Sequence, residues 1–441
     1  MTSERIITVW VPHYPVIPDH AQEMQERGDS FCAAHPGYRV EVRAVDWLAF
    51  PTEVHRAALR GDPPVLAQYF YTSAQEALDT RTASGEPLFA PIGPALTGRD
   101  EILGEPVVLD DLVPAAARYY TRDGDLLAMP SLVSTTLMYA NTTLLASAGI
   151  TEVPRTWAEL RTACEAVSSH HGGPAISWPN HGWLFQQALA QQGGLLANHD
   201  NGRAARADAV DLLSDELMAY AHWWRALHRD GHYLYLHNGR AVDWDANFRA
   251  FADQRVAFTM TTSVEAERMV QAGHDGGFSV RACRLPHNSE TGYAGNVIGG
   301  DALWLARGLD DATRDGALAF TQYLHHPAAA AERHRRTRFI PVTGDSFRLL
   351  DTDGWFDRNP HLRVAVDQLA ASGGSPAACG ALLGEFAGIQ ECMTDAMHEV
   401  LVDGLAPATA FRAASARAQH TLDHYTAYCA GRTARGPVAV G

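Results

Sequence analysis

Residues 296–308 read NVIGGDALWLARG. An apolar run of strand character is broken by Gly299 and Gly300, takes up Asp301, and resumes as Ala-Leu-Trp-Leu-Ala. Glycine inside a strand packs nothing and costs roughly 0.5–1 kcal/mol relative to alanine. A pair of them marks a bulge, a bend or a neighbour that leaves no room for a side chain. Trp304, further along the same run, reads as core.

Outward from this stretch, strand and helix signals alternate. Ile6–Val11 reads as a buried strand, 19–34 as a helix, and GYRVEVRAV (37–45) as a strand with alternating apolar residues. A helix over 52–59 ends near Gly61, and PPVLAQYFY (63–71) follows as a third strand. This βαβαβ order predicts parallel strands joined by right-handed crossovers. Ligands of such open sheets sit beyond the carboxyl ends of the strands. There the order places His13-Tyr14, Asp46-Trp47 and Tyr69-Phe70-Tyr71. Later, AMPSLVSTTLMYAN (128–141) reads as extended through Ser134, and Thr156 with Glu159 forms a capping box opening a helix at Trp157. Helices are expected over 181–192, 212–228 and 247–253. Residues 310–336 read as two helices broken at Pro327, and a last amphipathic helix follows Pro407.

Composition excludes several kinds of function. The chain has 441 residues, which predicts two domains. A net charge of −16 argues against nucleic-acid binding, since affinity for phosphate backbones needs clustered cations. Every cation is arginine, so no lysine Schiff base, lysine nucleophile or P-loop can form. The six cysteines are scattered, with no CxxC pair. They make neither a zinc site nor a disulfide framework. No run approaches 18 apolar residues, so no transmembrane segment is expected.

Five segments in this order resemble the substrate-binding proteins of bacterial ABC importers. They are YANTTLLASAGITEVPRTWAEL (139–160), NVIGGDALWLARG (296–308), HHPAAAAERHRRTRFIPVT (325–343), WFDRNPHLRVAVDQL (355–369) and VDGLAPATAFRAASARA (402–418). The resemblance runs from Ile7 to about Tyr425. It is strongest to the glycerol-phosphate and glycerophosphodiester binders and weaker to maltose-binding protein. It implies an α/β, bilobal type II periplasmic-binding-protein fold with an interlobe cleft and a hinge. The implied lobes are 1–132 plus 300–336 and 133–299 plus 337–430, with 431–441 as a flexible tail.

By the same resemblance, Trp47, Ser134, Thr262 and Gly300 agree in chemical type with ligand-contacting positions, and the amide of Gly300 is expected to face the solute. Other positions depart from the family. An acidic residue that holds glycerol hydroxyls falls at Tyr71, a tyrosine becomes Phe339, and an arginine becomes Gln390. The paired tryptophans of the family are represented by Trp178 and Trp183, in SWPNHGW. Losing the arginine removes a permanent charge and a fork of donors that glutamine cannot supply. The altered set points to an uncharged ligand, either aromatic or a sugar stacked on rings. No cofactor and no metal is implied. The partners are a small molecule and, if the chain is exported, an ABC permease, with the protein acting as a monomer. The location is extracytoplasmic if a signal peptide preceded Met1, and cytoplasmic if Met1 is the native start.

An alternative from another class is a cytoplasmic protein that reuses this scaffold as an enzyme on a small metabolite. Its acid–base candidates on the cleft rim are Asp301, His13, Asp46 and Glu385. Other constellations carry less. His228, His232 and His237 straddle Gly231, where the helix is expected to end, and His398 opens HEVLV, which lacks the second histidine of a zinc-binding HExxH.

Overall fold

The computed structural model describes residues 4–14, 17–238 and 241–433. The chain forms two compact units. One comprises Met1–Val133, Gly299–Arg336 and Ile340–Asp353; the other comprises Ser134–Ile298, Thr337–Phe339 and Gly354–Gly441. Residues 431–433 continue past the last helix, and the rest of the expected tail lies outside the described residues.

The strands that position the site are, in chain order, β1 (Arg5–His13), β2 (Tyr38–Asp46), β3 (Leu66–Phe70), β4 (Phe89–Ala90) and β5 (Met129–Ser134), then β6 (Thr136–Asn141), β7 (Ile176–Ser177), β8 (Phe258–Thr262), β9 (Val280–Cys283) and β10 (Gly299–Ala306). The first unit is built on a sheet of order β2-β1-β3-β10-β4, with β5 also pairing β10. β1 is parallel to both β2 and β3, as the βαβαβ reading expects. β10 enters antiparallel to β3, setting Asp301 opposite Phe70. The sheet is held by close aromatic packing: Tyr69 lies 6.3 Å and Phe89 5.9 Å from Trp304, ring centre to ring centre. Phe31 meets Phe320 at 5.3 Å, so the helices His20–Ala34 and Asp311–His325 pack side by side over β1.

The second unit has a sheet of order β7-β8-β6-β9, in which β6 runs antiparallel to both β8 and β9. Its core is a stack of rings. Trp178 lies 5.6 Å from Trp223 with planes 10° apart, 4.9 Å from Trp224 and 4.4 Å from Tyr233. Trp157 closes the stack on Trp223 at 5.1 Å. Its helix starts at the expected capping box, with Thr156 accepting from the Glu159 backbone and Glu159 returning the bond.

The extended run read through Ser134 is two strands, β5 and β6, each belonging to a different unit. The Ile340–Asp353 segment also departs from the expectation, which gave it to the second lobe. It joins the first unit because Ile340 N–H donates to the Val133 carbonyl at 2.7 Å and Val113 N–H donates to the Val342 carbonyl at 2.8 Å.

Candidate functional site

In the first unit, parallel pairing brings the ends of β1 and β2 together, with His13 directly beside Asp46. Both are exposed. The Asp46 carboxylate caps the following turn, accepting from the N–H groups of Leu48 and Ala49 at 3.1 and 3.0 Å. That turn presents Trp47 to solvent, 38% exposed. At the end of β3, Tyr71 is buried, edge-on to Phe70 at 4.8 Å and to Tyr119 at 5.9 Å. Its carbonyl accepts from the Tyr119 hydroxyl at 2.9 Å. Tyr14 completes the group, 5.9 Å from Phe70. The three strand ends therefore gather aromatic surface, as the sheet order requires.

The neighbour that excludes a side chain at Gly300 is the backbone of Leu132. Gly300 has φ of 111°, and a Cβ there would overlap the Leu132 carbonyl. The close approach is thus made by β5 against β10, and it accounts for the glycine without a solute.

Asp301 does not sit on a rim. It is 1% exposed, and its carboxylate accepts from Leu132 N–H at 3.1 Å and from the Tyr14 hydroxyl at 3.3 Å. Burial pushes its pKa up to about 6, against the opposing pull of nearby Gln68, Arg333, Leu132 N–H and Tyr14. The carboxylate holds two strands together rather than facing a reactant.

In the second unit, the start of the Gly182–Gln191 helix packs on Gln390. His181 caps the helix Gly182–Gln191, its Nδ1 accepting from Trp183 N–H at 3.1 Å. Packing around the His181 ring lowers its pKa to about 4, so it stays neutral at physiological pH. Gly182 packs directly on Gln390, where any Cβ would overlap the Gln390 side chain. Gln390 lies on the helix Phe386–Leu401 and is 5% exposed. Trp183 is 8% exposed, and its indole N–H has no hydrogen-bond partner among the described residues.

The hydroxyl pair also converges. β6 and β8 align Thr136 with Thr262, and Thr135 and Ser263 exchange two bonds, Ser263 N–H to the Thr135 carbonyl at 2.7 Å and Thr135 N–H to Ser263 Oγ at 3.2 Å. Ser134 is buried one residue before this exchange, while Thr262 is half-buried and its Oγ1 accepts from Val264 N–H at 3.3 Å. Phe339, half-buried, follows Arg338, whose φ of 66° turns the chain sharply. Glu385, with φ of 50°, is the residue before the Phe386–Leu401 helix, and Gly384 beside it packs on the Tyr425 ring.

Trp178 belongs elsewhere. It is fully buried in the ring stack of the second unit, so the spacing that made it a partner of Trp183 instead served the core. Sequence reasoning also missed an amide network around the opening stretch. Asn296 Nδ2 donates to Gln187 Oε1 at 2.7 Å, Gln187 Nε2 donates to the Val297 carbonyl at 3.0 Å, and Gln368 Nε2 donates to the Thr136 carbonyl at 2.8 Å. These glutamines sit singly on helices, and nothing in their spacing signals a shared role. Among the described residues no group of histidine, cysteine and carboxylate side chains could hold a metal ion.

A family described as bacterial extracellular solute-binding protein matches residues 26–364. The sn-glycerol-3-phosphate-binding periplasmic protein UgpB of Salmonella typhimurium is 26% identical over 322 residues, 71% of each chain. Among solved structures, the sugar-binding protein MalE of Xanthomonas citri superposes with a TM-score of 0.78 at 18% identity, covering 97% of this chain and 100% of that one. UgpB of Mycobacterium tuberculosis in complex with glycerophosphocholine gives 0.71 at 19% identity, covering 96% and 99%. Both show the same two-lobed α/β fold.

Proposed function

Because the chain belongs to the family of bacterial extracellular solute-binding proteins, we propose that it captures a small neutral, hydroxyl-bearing solute, a sugar or sugar-like ring, and hands it to an ABC permease. In this reading the solute, outside the cytoplasm, is contacted by residues among Trp183, Gln390, Ser134, Thr262, Phe339, Trp47 and Tyr71. The relatives divide between phosphate esters of glycerol and sugars. The observation that favours the sugar side is Gln390, a buried neutral amide where the family has an arginine, packed against Gly182, the residue before a tryptophan whose indole N–H has no partner among the described residues. A neutral amide at this position carries no charge to compensate an anion, whose burial without a cation is costly. Capture is favoured over catalysis by Asp301, which is occupied between two strands.

A thermal-shift comparison tests this reading. Neutral sugars such as glucose and maltose should raise Tm, since a ligand that binds only the folded state stabilises it. Stabilisation by sn-glycerol 3-phosphate or glycerophosphocholine but by none of the sugars would overturn it, and would mean that an arginine elsewhere takes the phosphate.

A further inference from the structure

The Gly182–Gln191 helix carries no charged side chain, and two of its amides fix its body. Gln187, fully buried, donates from Nε2 to the Val297 carbonyl at 3.0 Å and accepts at Oε1 from Asn296 Nδ2 at 2.7 Å. Gln191 Nε2 donates to the Leu285 carbonyl at 3.0 Å. The first turn is held differently. It opens on Gly182, which has no side chain to anchor, and continues with Trp183, whose indole N–H has no partner among the described residues. What ties this turn down is the cap, His181 Nδ1 accepting from Trp183 N–H at 3.1 Å.

Histidine is an uncommon cap. Serine, threonine, aspartate and asparagine lead at this position, and none of them changes its accepting atom near neutral pH. An imidazole caps only while Nδ1 is bare, so this bond fixes the tautomer with the proton on Nε2. The ring also packs on Trp244, 5.4 Å away and tilted by 56°. A proton on Nδ1 would set a donor against the Trp183 N–H and place a positive charge at a helix N-terminus, where the dipole opposes it. The charged groups on the two packed elements are Asp243, Asp245 and Arg249 around Trp244 and Glu385, Glu391 and Asp395 around Gln390. None of them contributes to the shift of the ring, which burial alone lowers to about 4.

We propose that His181 is a positioning residue for solute capture: its neutral tautomer, protonated on Nε2, sets the first turn of the Gly182–Gln191 helix and with it the Trp183 ring. This rests on the capture reading above, in which Trp183 is among the residues that meet the solute. It adds an acid limit, because capture weakens once Nδ1 takes a proton.

Ring-nitrogen NMR and calorimetry on the full chain test this, with maltose as the probe. At pH 7 the His181 ring should show a bare Nδ1 and a protonated Nε2. On acidification the Trp183 amide and indole signals should move with the same midpoint as the His181 ring, near pH 4. His181→Phe keeps a ring against Trp244 but no acceptor, and should lose about fivefold or more in affinity for maltose, the worth of one cap. His181→Asn restores a cap without a titrating group. It should recover most of that loss, and its Trp183 signals should no longer titrate near pH 4. A proton on Nδ1 at pH 7, Trp183 signals that ignore the His181 titration, or equal affinities in wild type and His181→Phe overturns the positioning role while leaving capture intact. If the wild type binds no sugar, the sugar reading falls, and the tautomer and the shared titration still decide the role of His181.

Discussion

Gly300 is held at φ of 111°, a conformation that side chains rarely adopt, and the Leu132 carbonyl occupies the space a Cβ would need. Backbone on both sides of the contact leaves little room to relax. Gly300→Ala should therefore destabilise the first unit by at least about 3 kcal/mol, combining a strained backbone with the separation of β5 from β10. Chemical denaturation measures this, and a loss below about 1 kcal/mol would contradict it. The pair of glycines was legible in the sequence as a place of close approach. The identity of the neighbour was not, because Leu132 is remote in the chain and only the pairing of β5 with β10 brings it near. Trp178 shows the converse limit. A tryptophan in a short motif carries the same letter whether it stacks on a ligand or on Trp223, and only the assembled ring cluster decides between them.

At the scale of elements, β5 is clamped along its length by groups of its own unit. His325 Nε2 meets the Pro130 carbonyl at 2.5 Å, Arg333 donates to Ser131 Oγ at 3.2 Å, Asp301 accepts from Leu132 N–H, and Ile340 N–H donates to the Val133 carbonyl. The chain leaves this unit one residue later, so the clamp fixes the strand where it crosses. Asp301 gives the clamp a pH signature. Its carboxyl binds a proton more readily folded, with a pKa of about 6, than unfolded near 3.8. Its contribution is therefore fully present below about pH 4 and is lost as pH rises through 6, by up to about 3 kcal/mol. His20, buried against Gln68 and lowered to about 4, slopes the other way: its contribution is present above about pH 6.5 and is lost as pH falls through 4. The difference between wild type and Asp301→Asn isolates the first term. The variant should gain stability relative to wild type between pH 4 and 6 in urea titrations, and a flat difference curve would contradict the assignment. The alternation of strands and helices that builds this sheet was readable from period and caps. The clamp was not, since His325 and Arg333 sit in helices whose sequence shows only solvated-looking cations near Pro327.

For the whole molecule, two units are woven from a chain that changes unit between Val133 and Ser134, between Ile298 and Gly299, on either side of Thr337–Phe339, and between Asp353 and Gly354. Family membership was legible because five separated segments kept their order across this weave. Solute preference was less so, for it turns on single positions. The central claim is that a neutral amide at Gln390 sets the preference for an uncharged solute. Calorimetric titration of maltose and glycerophosphocholine into the wild type and into Gln390→Arg tests it most directly. An arginine adds a charge-assisted bond worth about 1.5–3 kcal/mol, so the variant should gain roughly ten- to hundredfold in affinity for glycerophosphocholine and lose affinity for maltose. Tighter binding of glycerophosphocholine than of maltose by the wild type, unchanged in Gln390→Arg, would contradict it.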